Sequence, residues 1–207
     1  MIFEMKKYRA SILTAIAMLL AFVANAESAE SVMNKAADCI KKAKSVSADY
    51  TALANGDSLN GKIVISGEKF VLTSTAISTW FDGTTQWSYD SKSKEVNITE
   101  PTAEELQQIN PFAIISSFQQ SFKPMLLKAP KGQYKVNLTA KDKKADIKHA
   151  IVTFNASTYL PTEIQMDTPN GKLTIKVKNA AVGGALPLTT FRFDKAKYPK
   201  AKVVDLR

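Results

Sequence analysis

His149 is the only histidine in the 207 residues and Cys39 the only cysteine, so nucleophilic catalysis would have to be built around one or both. A Ser-His-Asp arrangement needs His149, and a Cys-His pair needs it beside Cys39. His149 falls in a strand pattern and Cys39 in a helix pattern, and no nucleophile elbow accompanies either. One histidine and one cysteine also give no metal-ligand spacing, so neither a metal nor a cofactor is expected. The adjacent carboxylates have ordinary work. Glu104 and Glu105 open a helix and favour its dipole, while Asp142 and Asp146 flank Lys143 and Lys144 in a solvated turn. There is no glycine loop of the kind that cradles phosphate. These absences describe a protein that binds rather than catalyses.

The elements that must position any binding site are read from periodicity. Ser28 to Ser45 is amphipathic at helical spacing, with Val32, Ala36, Ile40 and Ala43 on one face and Cys39 expected beside them as a core thiol. The period then changes to two. Val46–Leu53, Lys62–Ser66, Lys69–Thr73, Ile77–Phe81, Thr85–Tyr89 and Glu95–Ile98 read as short strands with tight polar turns between most of them. At Pro101 the alternation stops. Thr102 followed by Glu105 forms a capping box, and a second helix is expected to start with Asn110 as its cap and Pro111 in its first turn. Phe112, Ile115, Phe118 and Phe122 share one face of that helix, which Lys123-Pro124 ends. Strands return at Tyr134–Ala140, Ile147–Asn155, Glu163–Asp167 and Lys172–Lys178, with a last one at Thr189–Phe193 before a polar ending. The fold class is mainly β with a helical lid (α+β): a long antiparallel sheet, apolar on one face, that the helices must cover.

The amino terminus bears on location. Lys6, Lys7 and Arg9 precede an apolar run from Ala10 to Val23, shorter than the ~20 residues of a spanning helix, and Ala24-Asn25-Ala26 follows as a cleavage site. Residues 1–26 are therefore expected to be a signal peptide, leaving 27–207 as one domain in the periplasm. Glu27 stands where a lipid-anchored product would need cysteine. The formal charge of +9 falls to +7 once Glu4, Lys6, Lys7 and Arg9 are removed. The lysines do not interleave with aromatic residues as a base-stacking platform requires, so nucleic acid is not an expected partner. Weak attraction to anionic headgroups or to an acidic partner surface fits the charge better.

Aromatic and aliphatic residues are what the sheet and lid hold in quantity. Phe70, Leu72, Trp80, Trp87 and Tyr89, with Ile164 and Met166 of a later strand, are the candidate lining of an apolar cavity, and Phe112, Ile115, Phe118 and Phe122 its candidate lid. Phe81 belongs to the same aromatic group. Core and cavity lining have the same composition, so a dry core is the competing reading.

The order of these features resembles the LolA family of periplasmic carriers of outer-membrane lipoproteins. The resemblance lies in Gly61-Lys62-Ile63-Val64-Ile65 leading to Lys69-Phe70, in Phe81-Asp82-Gly83-Thr84-Thr85-Gln86-Trp87-Ser88-Tyr89-Asp90, in the helical insert after Pro101, and in Phe191-Arg192-Phe193 and Val203-Val204-Asp205 at the end. It implies an incomplete β-barrel closed by a helical lid, acylated lipoproteins as cargo, an inner-membrane release complex and an outer-membrane acceptor as partners, and a monomer. A sensor domain or a carrier of another lipid or glycolipid with the same fold is the alternative. The family's lid is tied by a strand arginine; the corresponding stretch here is Ile65-Ser66-Gly67-Glu68-Lys69, with no arginine.

Overall fold

The computed structural model describes residues 27–110 and 112–207; the expected signal peptide with its cleavage after Ala26, and Pro111 as the expected first-turn residue, lie outside them. Helix α1 spans Ala29–Lys42. Ser28 caps it by accepting from the Ser31 amide at 3.0 Å, Glu30 sits in the first turn, and Lys41 and Lys42 in the last complement the dipole. Val32, Met33, Ala36 and Ile40 form its buried stripe. Each large member contributes about 1.5–3 kcal/mol by leaving water. Cys39 lies at the margin of that stripe and is half-exposed rather than core, its Sγ 3.6 Å from the Thr158 carbonyl.

Strands β1 (Ser45–Ala54), β2 (Asp57–Ser66), β3 (Lys69–Ser74), β4 (Ile77–Phe81), β5 (Gln86–Asp90) and β6 (Glu95–Thr99) form a meander. Helices α2 (Ala103–Ile109) and α3 (Ala113–Ser121) follow, then β7 (Phe122–Leu127), β8 (Gln133–Ala140), β9 (His149–Asn155), β10 (Pro161–Thr168), β11 (Gly171–Gly183), a 3-10 turn at Leu188–Phe191 and β12 (Lys202–Asp205). All twelve strands join one sheet in the order β12-β6-β5-β4-β3-β2-β1-β11-β10-β9-β8-β7. Every pairing is antiparallel except β12 with β6. The sheet does not close, so β7 and β12 are its edges and the architecture is an incomplete barrel.

Three elements differ from the sequence reading. Asn110 does not cap α3. It ends α2, and its Oδ1 accepts from the Phe112 amide at 3.1 Å, while Phe112 occupies the cap position of α3 without a side-chain bond. The segment around Lys123-Pro124 does end the helix, but it continues as β7, where Pro124 is tolerated because the strand is an edge. Thr189–Phe193 is not a strand: Leu188–Phe191 coils into the 3-10 turn, and the final strand is Lys202–Asp205 within the segment read as a polar ending.

The two sheet faces carry separate apolar clusters. On the concave side α1, α3 and Phe122 pack against Ile63, Ile65, Phe70, Phe81, Val136, Leu138, Val152, Phe154, Ile164, Met166 and Ile175. On the convex side Val71, Trp80 and Phe191 pack with Trp87, Tyr89, Phe193 and Tyr198. Gly61 permits the close approach in the middle of the sheet. A Cβ there would come within 2.2 Å of the Thr73 carbonyl and 2.4 Å of the ring of Tyr50, its cross-strand partner.

Glu27 ties the start of the described chain to the connection between β9 and β10. Its carboxylate accepts from Lys35 Nζ, from Ser31 Oγ at 2.6 Å and from the Tyr159 hydroxyl at 3.0 Å. The Lys35 bond, then the Ser31 bond, hold its pKa at about 2 instead of 4.5. A depressed carboxylate pKa contributes stability above the unfolded value and loses it as pH falls through the folded one. Glu27→Gln should therefore melt below wild type at neutral pH. The gap should close as pH falls from 4.5 toward about 2, as followed by circular dichroism melts across that range.

Candidate functional site

A cavity of about 610 Å³ opens between the helices and one end of the sheet. Its sheet wall is Ile65 at the end of β2, Phe70 at the start of β3 and Phe81 at the end of β4. These positions align because β2 pairs Ile65 with Phe70 and β4 pairs Phe81 with Phe70 in register. The Phe70 and Phe81 rings lie 5.3 Å apart. Ala37 and Ile40 of α1, Leu106 of α2, and Phe112 complete the apolar lining. Polar residues share the lining: Lys41, Glu68, Ser116 and Gln120 are exposed and form a polar rim, Gln107 and Ser117 are half-buried, and Asn110 is buried.

The helical wall is held by polar bonds of unequal reach. In α2 the capping box forms as expected: the Thr102 amide donates to Glu105 Oε2 at 2.7 Å, and the Glu105 amide donates to Thr102 Oγ1 at 3.3 Å. The Thr102 amide keeps the Glu105 carboxyl below its ordinary pKa. Gln107 Nε2 donates to Ser117 Oγ at 3.1 Å, joining α2 to α3. The link from α3 to α1 is Gln119 Nε2 to Asn34 Oδ1 at 2.7 Å, and Lys141 Nζ donates to the Gln119 carbonyl at 2.5 Å. Among the described residues Lys69, which stands in the stretch matched to the family's arginine, shows no hydrogen bond to a helix. The packing is unequal as well. Ile114, Ile115 and Phe118 of α3 are buried, whereas none of the described side chains of α2 is. α3 is thus part of the core, and α2 is a cover resting on it.

Only some of the candidate residues come together here. Phe70 and Phe112 line the cavity. Leu72 is half-buried against the concave core, farther along β3. Ile115, Phe118, Phe122, Ile164 and Met166 are buried within that core and do not reach the cavity. Trp80, Trp87 and Tyr89 stand on the convex face, where Trp80 lies 5.6 Å from both Phe193 and Tyr198 and Tyr89 lies 4.6 Å from Tyr198. Their placement follows from register: β3 pairs Val71 with Trp80, and β4 pairs Trp80 with Trp87, so all three belong to the face opposite Phe70 and Phe81. Leu106, Ile40 and Ile65 line the cavity although the sequence patterns do not mark them as lining residues. Ile40 does fall on the apolar face of α1, and that is the signal that could identify it.

His149 is exposed at the first position of β9. Among the described residues no group of His, Cys, Asp and Glu is placed to hold a metal.

Residues 19–170 match the family described as outer membrane lipoprotein carrier protein LolA. The chain belongs to that family. A search of curated proteins gives no match. Among solved structures, the chain is similar to an uncharacterized conserved protein from Thermus thermophilus, at 12% identity and a TM-score of 0.58 over 86% of this chain and 98% of that one. A LolA superfamily protein from Nitrosomonas europaea (14% identity, TM-score 0.44, 81% and 99% of the two chains) and a putative outer membrane lipoprotein-sorting protein domain from Vibrio parahaemolyticus (11%, 0.45, 83% and 100%) also match. The similarity to the Thermus structure is one of fold.

The division between core and cavity is measurable. Phe118→Ala, in the core at 3% exposure, should cost about 3–5 kcal/mol in urea denaturation. Leu106→Gln, half-exposed on α2, should cost under ~1 kcal/mol and instead weaken uptake of a fluorescent fatty acid by the purified protein.

Proposed function

We propose that this chain, its leader removed after Ala26 to leave one domain of residues 27–207, is a periplasmic carrier that shields the acyl chains of lipoproteins on their way from the inner to the outer membrane. The observation that carries the proposal is the cavity itself. It has an apolar wall of Phe70, Phe81, Ile65, Leu106 and Phe112 and a polar rim, and it is covered by a helix that is not locked into the core. Its volume of about 610 Å³ lies inside the roughly 300–1,000 Å³ of small-molecule sites.

An acyl chain gains about 0.8 kcal/mol for each CH₂ withdrawn from water, so it does not cross an aqueous space unshielded at any useful rate. The polar rim suits a cargo whose remainder is hydrophilic, as the peptide of a lipoprotein is. α2 can lift at little cost to the buried core, because its described side chains are at most half-buried, and lifting it opens the cavity wall formed by Ala37, Ile40 and Phe112. Loading and release then need no chemistry on the chain itself. Any energy input belongs to a membrane partner, an inner-membrane release complex, with an acceptor at the outer membrane.

Capture of cargo from the native periplasm followed by mass spectrometry tests this reading. Acylated protein should be recovered with the purified carrier; recovery of free lipid or glycolipid alone would reassign the cargo, and recovery of no lipid under loading conditions would count against carriage. His149→Ala and Cys39→Ser should leave cargo capture unchanged. Loss of capture by His149→Ala with folding intact would contradict a non-catalytic carrier.

A further inference from the structure

Eight large apolar side chains are exposed among the described residues, and three of them, Val182, Leu186 and Leu188, fall within seven residues of one another at exposures of 58%, 38% and 45%. They belong to the segment Ala181-Val182-Gly183-Gly184-Ala185-Leu186-Pro187-Leu188-Thr189, every residue of which is exposed and none of which is charged. Its two ends are fixed. At one, Gly183 pairs with Ser45 at the start of β1, and Ser45 Oγ donates to the Gly184 carbonyl at 2.7 Å. At the other, the 3-10 turn anchors through Phe191, which is fully buried against Val71 and Trp80. The end of β11, the connection that follows it and the start of the 3-10 turn together hold an uncharged, apolar segment out in water.

The loop lies at the end of the sheet where the cavity opens. Val182 pairs with Val46, and Val46 pairs with Ile65, which lines the cavity. Basic side chains flank it from the end of α1 and the β2–β3 turn. Lys41, Lys42 and Lys44 are exposed and Lys69 is half-exposed, against two carboxylates, Asp38 and Glu68, of which Asp38 is already bonded to Lys42 at 2.7 Å.

We infer that the 181–189 loop is a docking element for an anionic phospholipid surface, with Val182, Leu186 and Leu188 entering the interfacial layer and the lysines at the end of α1 drawing the loop to it. Apolar insertion and basic attraction are the paired signals that make reversible interfacial binding sufficient, each weak alone. The pairing also decides the occupant. A protein groove would need no flanking positive charge to take three aliphatic side chains, whereas a bilayer with anionic headgroups rewards both. Docked this way, the cavity mouth faces the headgroups, and an acyl chain could pass between bilayer and cavity over a short path. The inference concerns the surface alone and does not depend on which cargo the cavity holds.

Co-sedimentation of the delipidated mature protein with vesicles tests it apart from carriage. Wild type should bind vesicles of phosphatidylethanolamine with phosphatidylglycerol and bind pure phosphatidylcholine weakly. Val182→Asn/Leu186→Asn/Leu188→Asn should lower affinity for the anionic vesicles by roughly tenfold or more. Lys42→Gln/Lys44→Gln should lower it by roughly fivefold per lysine. Ile77→Asn, at an exposed apolar residue beside the β3–β4 turn at the opposite end of the sheet, should change nothing. All the substituted side chains are at least one-third exposed, so folding should persist, and Leu186→Asn alone repeats the test if the triple variant is unstable. Vesicle binding by the loop variants equal to wild type, an equal loss in Ile77→Asn, or no sedimentation of wild type with either vesicle would overturn the inference, whatever the cargo experiment returns.

Discussion

Burial of the α1 stripe against the concave face of the sheet is the contact on which the rest of the structure depends, because an open sheet offers that face to water unless something covers it. Val32, Met33 and Ala36 are wholly excluded from solvent, and the same helix carries Asn34 to α3 and Lys35 to Glu27. With α1 seated, α3 packs beside it and leads directly into the edge strand β7. Together α1 and α3 cover most of the concave face and leave one end uncovered. There Phe70 and Phe81 reach the surface of a cavity instead of a helix, and α2 spans the gap.

The convex face is organised independently. The segment after β11 crosses the end of the sheet, tucks Phe191 against Val71 and Trp80, adds Phe193 and Tyr198 to the aromatic cluster, and joins Arg192 to Asp82 at 2.8 Å before β12 pairs with β6. An antiparallel sheet with a wet outer face would ordinarily carry polar residues there. Here the outer aromatic residues are covered by the chain's own carboxyl-terminal segment. The two clusters share no buried residue, so a ligand between helices and sheet meets only the concave one.

Much of this fold is legible in the sequence, because strands with one buried face alternate and helices with a buried stripe repeat at three and four residues. The meander from β1 to β6, the capping box at Thr102 and the hairpin of β10 and β11 all follow from such patterns. β7 is hidden because Pro124 argues against a strand unless it is known to be an edge, and edges are assigned by topology. β12 is hidden because a four-residue strand has too few alternations to stand out, and it forms only where β6 offers a partner. For the site, alternation groups residues within a strand but does not say which group meets the helices. Carrying the face from β3 to β4 needs the two-residue connection at Thr75-Ala76, which places Val71 opposite Trp80. That pair is no customary turn dipeptide, so the register is not visible in the sequence, and Trp80, Trp87 and Tyr89 group with Phe70 by composition although they lie on the other face. Phe112 and Phe122 fall outside α3, as its cap position and the first residue of β7, so of the three spaced phenylalanines only Phe118 lies on that helix. Which of them meets core and which cavity is set by tertiary packing, which spacing does not carry.

The central claim is that acyl chains occupy the space bounded by α1, α2, α3 and the ends of β2, β3 and β4. Photolabelling the delipidated protein with a diazirine-bearing fatty acid, and mapping the modified peptides by mass spectrometry, tests this most directly. The account predicts saturable labelling of the segments carrying Ala37 to Lys41, Ile65 to Phe70 and Ala103 to Gln120, suppressed by excess unlabelled fatty acid. Saturable labelling around Trp80, Trp87 and Tyr198, or labelling that excess ligand does not suppress, would contradict it.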